Sequence, residues 1–371
     1  MIRKKENRFI ILAGIIIGIV ASLLVYFGNP KNMGFCIACF IRDIAGGLGL
    51  HRAAPVQYIR PEIIGIVLSA LILSVVRKEF APRGGSSPVT RFVLGAFVMI
   101  GGLMFLGCPF RMIVRLAGGD LNAIVGLIGF VCGIAVGIFF LNKGYTLGRT
   151  YKQRPPEGAV FPFLQAVLLL LLVAAPAFIF FTEAGGGPGA KHAAIAVSLA
   201  AGLIVGSLAQ RSRLCMIGGF RDLILFRETR LIAGFIAILC SALIVNLALT
   251  ALTGEAYFSF AFAGQPIAHT DGLWNAAGMF LVGFASVLLG GCPLRQLVLA
   301  GEGNIDSAIT ILGLTAGAAF AHNFGLASSG EGPTANGKIA VVIGIAVCVL
   351  IASLNTTTRS EERRVGKECR S

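Results

Sequence analysis

Two pentapeptides concentrate the chemistry of this sequence: Gly107-Cys108-Pro109-Phe110-Arg111 and Gly291-Cys292-Pro293-Leu294-Arg295. Each interrupts a long apolar run. Glycine lets the backbone leave helical geometry, and proline suits the first position of a new helix. The cysteine then stands at the cap, beside unpaired amides and the positive end of a half-helix dipole, which is an anion site in waiting. The arginine, three positions on, adds a permanent positive charge about one turn into the half-helix. A thiol is a soft, polarisable group with a weak S–H donor. It suits a large, soft anion better than a hydroxyl would. Helix termini and arginine lower a cysteine pKa while apolar burial raises it, and the residues alone leave that balance open.

A second matched pair lies upstream of each pentapeptide. Cys36 is followed by Arg42-Asp43, and Cys215 by Arg221-Asp222, at the same spacing. After each pentapeptide comes Leu-Ala-Gly, at Leu116–Gly118 and Leu299–Gly301. The order and spacing repeat, so the two halves read as copies of one unit. The candidate substrate path is therefore Gly107, Cys108, Pro109 and Arg111 with Gly291, Cys292, Pro293 and Arg295, joined by Cys36 and Cys215. Arg42 and Arg221 are accessory candidates, either direct participants or halves of ion pairs that close a re-entrant turn. Cys39 is a third accessory candidate: it completes a C-x-x-C with Cys36, but Gly218 stands at its counterpart. Disulfide, metal contact and pore thiol all stay open for it. Cys132, Cys240 and Cys348 read as small apolar fillers, and either motif arginine could instead snorkel to an interface.

The elements that must hold these residues are membrane helices. Of 371 residues, 56% are hydrophobic and 13% charged, about half the charge of a soluble domain. The 49 glycines lie within apolar runs, as in transmembrane helices. Ten runs are long enough to cross a bilayer: Phe9–Phe27, Pro61–Val76, Phe92–Ala117, Leu121–Leu141, Phe161–Phe181, Ala193–Gln210, Leu231–Leu252, Leu273–Ala300, Ile305–Phe324 and Ile339–Leu354. This predicts an all-α polytopic membrane protein with broken and re-entrant short helices. The net charge of +14 sits in short loops, where positive-inside topology accounts for it without nucleic acid. Both termini are then expected in the cytoplasm. Only the basic stretch Lys31–Arg60 falls on the wrong side.

One extra span between the copies inverts the second relative to the first. The expected organisation is a first inverted repeat over 1–150, a linking span over 151–187, a second repeat over 188–330 and a final span over 331–358. Residues 359–371 are abruptly polar and read as a non-native tail, so Cys369 receives no role. Inverted repeats of this kind place a site near the bilayer midplane. The four histidines show no ligand spacing, so no metal or cofactor is expected. No Walker motif, dinucleotide-binding glycine motif or nucleophile elbow is present.

With those residues in hand, the sequence resembles the YeeE/YedE sulphur-transport family of bacterial inner-membrane proteins, nearest the YedE branch of selenium transporters. The resemblance is carried by NMGFCIACFIRD at Asn32–Asp43, RPEIIG at Arg60–Gly65, LGCPFRMIVRLAGGDLNA at Leu106–Ala123, LCMIGGFRD at Leu214–Asp222 and GGCPLRQLVLAGEGN at Gly290–Asn304. It implies an hourglass of inverted repeats, in which central cysteines pass a chalcogen anion through S–H···S contacts. That role maps onto Cys36, Cys108 and Cys292, with Cys215 completing the set. It also implies a separate cytoplasmic TusA-like sulfurtransferase as partner. The leading expectation is a permease for a selenium compound or thiosulfate. The alternative is a membrane sulfurtransferase or redox module that carries sulfur or selenium covalently on a cysteine, and a soft-metal transporter using Cys36 and Cys39 is a third reading.

Overall fold

The computed structural model describes residues 2–356; the tail at 359–371 and Cys369 lie outside them. The chain runs α1 (Ile2–Tyr26), α2 (Ile37–Gly47), α3 (Pro61–Val76), α4 (Pro88–Phe105), α5 (Pro109–Ala117), α6 (Asn122–Asn142) and α7 (Pro155–Ala174). It continues with α8 (Ile195–Ser212), α9 (Met216–Phe226), α10 (Arg230–Thr253), α11 (Gly272–Leu289), α12 (Pro293–Gly301), α13 (Ile305–Asn323) and α14 (Ala335–Leu354). Ten helical stretches are long and apolar enough to cross a membrane, and the chain is a multi-pass membrane protein. The only paired strands among the described residues are two-residue stubs, Arg83–Gly84 and Tyr151–Lys152.

The short helices appear where the cysteines foretold them. α2 and α9 have 11 residues each, and α5 and α12 have 9 each. Their packing follows an exchange rule. α1 packs on α10 as α8 packs on α3, α6 on α11 as α13 on α4, and α5 on α10 as α12 on α3. Close approach is bought by glycine where helices cross: a Cβ on Gly133 of α6 would stand 2.1 Å from the Phe280 carbonyl oxygen of α11.

One helix is shifted from its expected place. The seventh runs over Pro155–Ala174 rather than Phe161–Phe181. Proline opens it at the first position, needing no amide partner. Ala175 ends it in the left-handed region at φ 42°, and Pro176 cannot prolong it.

Hydrogen bonds sort the loops into two faces. On one, the extended-loop face, Thr182 N–H donates to the Gln57 carbonyl, Leu121 N–H to Ala261, Asn32 Nδ2 to Gln265 and Asn323 Nδ2 to Leu50. On the other, the arginine-rich face, Ala81 N–H donates to Glu302, Gln153 N–H to Pro82, Thr146 N–H to Asn355 and Arg91 to Leu289. The stretch Lys31–Arg60, which broke the charge pattern, lies on the extended-loop face. Two of its arginines are buried and bound to one acid: Arg42 reaches Asp43 Oδ1 at 2.7 Å, and Arg60 reaches Asp43 Oδ2 at 2.7 Å. Arg60 also donates to the Pro188 and Lys191 carbonyls.

Candidate functional site: four cysteine-capped half-helices

Each short helix begins at a cysteine. Cys36 caps α2 with extended backbone, its Sγ accepting from the Cys39 N–H at 3.3 Å. Cys215 caps α9 in the same manner, accepting from the Gly218 N–H at 3.4 Å. Cys108 and Cys292 hold the cap positions of α5 and α12 without closing them by a side-chain bond. Their following prolines carry no N–H, which removes one of the amides a helix start leaves unpaired.

The four cysteines are buried and grouped in two pairs. The Cys36 thiol is a close neighbour of Cys108, and the Cys215 thiol of Cys292. The two pairs then meet: Cys108, Pro109 and Phe110 line one cavity together with Cys292, Pro293 and Leu294, and Met216 and Phe235 complete its wall. The cavity is about 10 Å³, close to the least that holds one water. Helix starts from both halves thus converge on a single narrow, thiol-lined point.

The two motif arginines differ in setting. Arg111 is fully buried. Its guanidinium donates to the carbonyls of Asn32 at 2.9 Å, Ile267 at 3.1 Å and Leu106, with Cys39 Sγ 3.7 Å away. Among the described residues no carboxylate pairs with it, so its charge stays uncompensated one turn from Cys108. Arg295 is partly buried and meets Glu302 at 3.5 Å. It lines a 340 Å³ vestibule on the arginine-rich face, with Arg83, Arg211, Arg213, Glu79, Glu302, Gln210 and Asn304. At that mouth, burial pushes the Glu302 carboxyl up, against the pull of Arg295, Arg83 and Arg213. The Arg77 and Gln210 side chains, by contrast, hold exposed Glu79 below its ordinary range.

Gly107 and Gly291 both precede their cysteines, with unequal room. A Cβ on Gly107 would lie 2.9 Å from Arg111 Cδ, whereas one on Gly291 would lie 3.4 Å from Arg295 Cγ. Arg221 pairs with Asp222 at 2.9 Å, partly exposed and on the C-terminal part of α9. Arg42 is likewise engaged with Asp43. Both accessory arginines therefore sit in ion pairs with their own neighbours. Cys36 and Cys39 are free thiols, and Cys39 Sγ lies 4.0 Å from the Leu106 carbonyl. Among the described residues no three His, Cys, Asp or Glu side chains gather as a metal would require.

The sequence reading passed over several residues beside the site. Arg115 is fully buried, bound to Asp120 at 2.6 Å and to the Phe105 carbonyl. His269 Nε2 binds the Met104 carbonyl at 2.8 Å, and burial pushes its pKa down. Arg111, Arg115 and His269 thus satisfy successive carbonyls at the end of α4, which the break at Gly107 would otherwise leave bare. A second arginine inside an apolar run was the signal available in the sequence.

Residues 211–363 match the family described as Sulphur transport. The likeness to that family thus spans the chain from the end of α8 through α14. A relative is the "Thiosulfate transporter TsuA" of Escherichia coli (strain K12), 30% identical over 113 residues. That match covers 30% of this chain and 30% of the relative. Within the sulphur transport segment lie Cys215, Cys292, Arg295 and the vestibule residues Arg211, Arg213, Glu302 and Asn304.

Proposed function

We propose that this chain is a permease of the bacterial inner membrane that imports a small sulfur-containing anion of the thiosulfate type, with the matching selenium anion as a second cargo. The observation that carries the reading is the shared cavity of Cys108 and Cys292 at the convergence of half-helix starts. An anion there meets unpaired amides, the positive ends of short helices and the uncompensated charge of Arg111. The thiols offer weak S–H donors to a soft terminal sulfur. The family match and the thiosulfate-transporting relative support this class of cargo.

In this reading 1–150 and 188–330 are inverted repeats, for which the exchange rule of helix packing speaks. The arginine-rich face is cytoplasmic by charge, with both termini there. Its vestibule is the exit, from which a separate TusA-like sulfurtransferase would collect the cargo. Cys36 and Cys215 flank the central cavity as partners of Cys108 and Cys292.

The test is uptake by purified protein in liposomes, comparing thiosulfate, selenite and sulfate. Thiosulfate uptake that vanishes in Cys108→Ala and Cys292→Ala supports the reading. Passage of all three anions regardless of those substitutions sinks it. So does a chain that moves no anion but gains a sulfur adduct by intact mass.

A further inference from the structure

Four guanidinium groups converge on the vestibule from three separate parts of the chain. Arg83 comes from the loop before α4, Arg211 and Arg213 from the end of α8, and Arg295 from α12. Only two carboxylates face them, Glu79 and Glu302, so the recess carries an excess of two positive charges. Positive-inside topology accounts for arginines on this face. It does not account for their gathering in one recess, where like charges repel.

The ion pairs of the vestibule are loose. Arg211 stands 3.6 Å from Glu79 and Arg295 3.5 Å from Glu302, against 2.6 Å between buried Arg115 and Asp120. Glu79 is engaged further by Arg77 at 3.2 Å and by Gln210 Nε2 at 3.2 Å. Among the described residues, the Arg83 and Arg213 side chains have neither a hydrogen bond nor an ion pair, although the fields of both reach Glu302. Each guanidinium carries five N–H donors in a planar fork, so donors far outnumber acceptors. Arg213 also stands where its backbone is strained. It ends α8 in the left-handed region at φ 54°, a position that glycine fills with least penalty.

The rest of the lining selects the ligand. Asn304 Oδ1 is taken by the Ser307 N–H at 3.0 Å, which leaves its amide NH₂ for a ligand. A cation would find two carboxylates already engaged by arginine, whereas an anion finds open donors. The volume, 340 Å³ against about 10 Å³ at the cysteine cavity, admits a small anion with part of its water. No cysteine is among the described residues that line the vestibule, so nothing there tells sulfur from oxygen.

We infer that the vestibule is a second anion site, for a divalent oxyanion held by charge and N–H donors alone, and that it takes sulfate as readily as thiosulfate. The two sites then read different properties. The central thiols answer to a soft sulfur, and the guanidiniums answer to charge. The place of this site on the route of the cargo rests on the permease reading, whereas binding itself does not.

Equilibrium dialysis of the purified whole protein in detergent at low ionic strength, with radiolabelled sulfate or thiosulfate, tests the site without transport. Cys108→Ala/Cys292→Ala, which disables the central cavity, should still bind both anions with the same affinity. Adding Arg83→Gln and Arg213→Gly to that parent should weaken both at least about tenfold, the scale of losing one hydrogen bond to a charged group. Because glycine suits the left-handed position, this variant should unfold no lower than its parent. Arg83→Lys/Arg213→Lys keeps the charge without the fork and should retain part of the binding. Arg149→Gln/Arg154→Gln removes two exposed arginines that do not line the vestibule and should leave binding intact. A parent that binds no sulfate overturns the site. So does binding that survives the loss of Arg83 and Arg213, or that falls equally without Arg149 and Arg154. A clear preference for thiosulfate overturns the indifference to sulfur. If both anions bind as expected yet liposomes take up neither, the permease reading fails and the site stands.

Discussion

Cys108 and Cys292, each the cap of a half-helix, open onto the same cavity of about 10 Å³, and each is backed by a second thiol, Cys36 or Cys215. This arrangement puts a small, cysteine-lined cavity where two helix starts meet. Cys108→Ala and Cys292→Ala should therefore drop uptake to the background of empty liposomes while thermal unfolding stays near wild type. The removed sulfur is small, and truncating such a side chain destabilises by roughly 1 kcal/mol. Cys132→Ala and Cys240→Ala, at exposed positions on the long helices, should leave uptake unchanged. Equal loss from all four would remove the cysteines of the cavity from any special role.

The glycines preceding those cysteines predict an asymmetry. The Cβ of Gly107→Ala would press on Arg111 Cδ at 2.9 Å, and Arg111 cannot swing away because three carbonyls hold it. Overpacking of this sort costs about 1–3 kcal/mol. Gly291→Ala meets Arg295 Cγ at 3.4 Å, an ordinary contact with a side chain free to give. Melting of the two variants in detergent should show a clear drop for Gly107→Ala and little change for Gly291→Ala. The reverse order would contradict the locked state of Arg111.

Much of this arrangement is legible in the sequence. Gly-Cys-Pro breaks a helix wherever it falls, so the half-helices α5 and α12 could be read directly. α2 and α9 followed from the matching Cys-to-Arg-Asp spacing. What pentapeptides with the same Gly-Cys-Pro-x-Arg pattern could not reveal is that their arginines part company. Arg111 finds the Asn32 and Ile267 carbonyls because two long loops fold over it, whereas Arg295 faces a vestibule built from short loops. Loop contacts leave no local pattern in the chain.

That divergence gives a third prediction. A lysine in place of Arg111 keeps the charge but cannot serve three carbonyls in a planar fork. The bare buried carbonyls should cost about 2–3 kcal/mol, seen as a large fall in unfolding temperature together with lost uptake. Arg295→Lys keeps a mobile cation at the vestibule and should retain both stability and most uptake. Arg295→Ala should slow uptake most at low salt, since its field is screened over about 8 Å at physiological ionic strength. An Arg111→Lys protein as stable as wild type would show that the carbonyl contacts carry no weight.

Glu302 supplies the pH test. Burial pushes its carboxyl above the ordinary 4.5, with Arg295, Arg83 and Arg213 opposing. The folded protein therefore holds this proton more tightly than the unfolded chain does. The resulting stabilisation is complete below about pH 4.5 and is lost as pH rises through the raised value. Glu302→Gln keeps a neutral side chain throughout, so it should gain stability relative to wild type as pH climbs from that point to neutrality. Unfolding temperatures of the pair, measured across that range, should diverge above about pH 4.5 and level off once the raised value is passed. At neutral pH the same change releases Arg295 from its partner at 3.5 Å and makes the vestibule more positive, so thiosulfate uptake should rise at low salt. A stability difference that is flat with pH would mean the Glu302 carboxyl is solvated as freely in the fold as out of it.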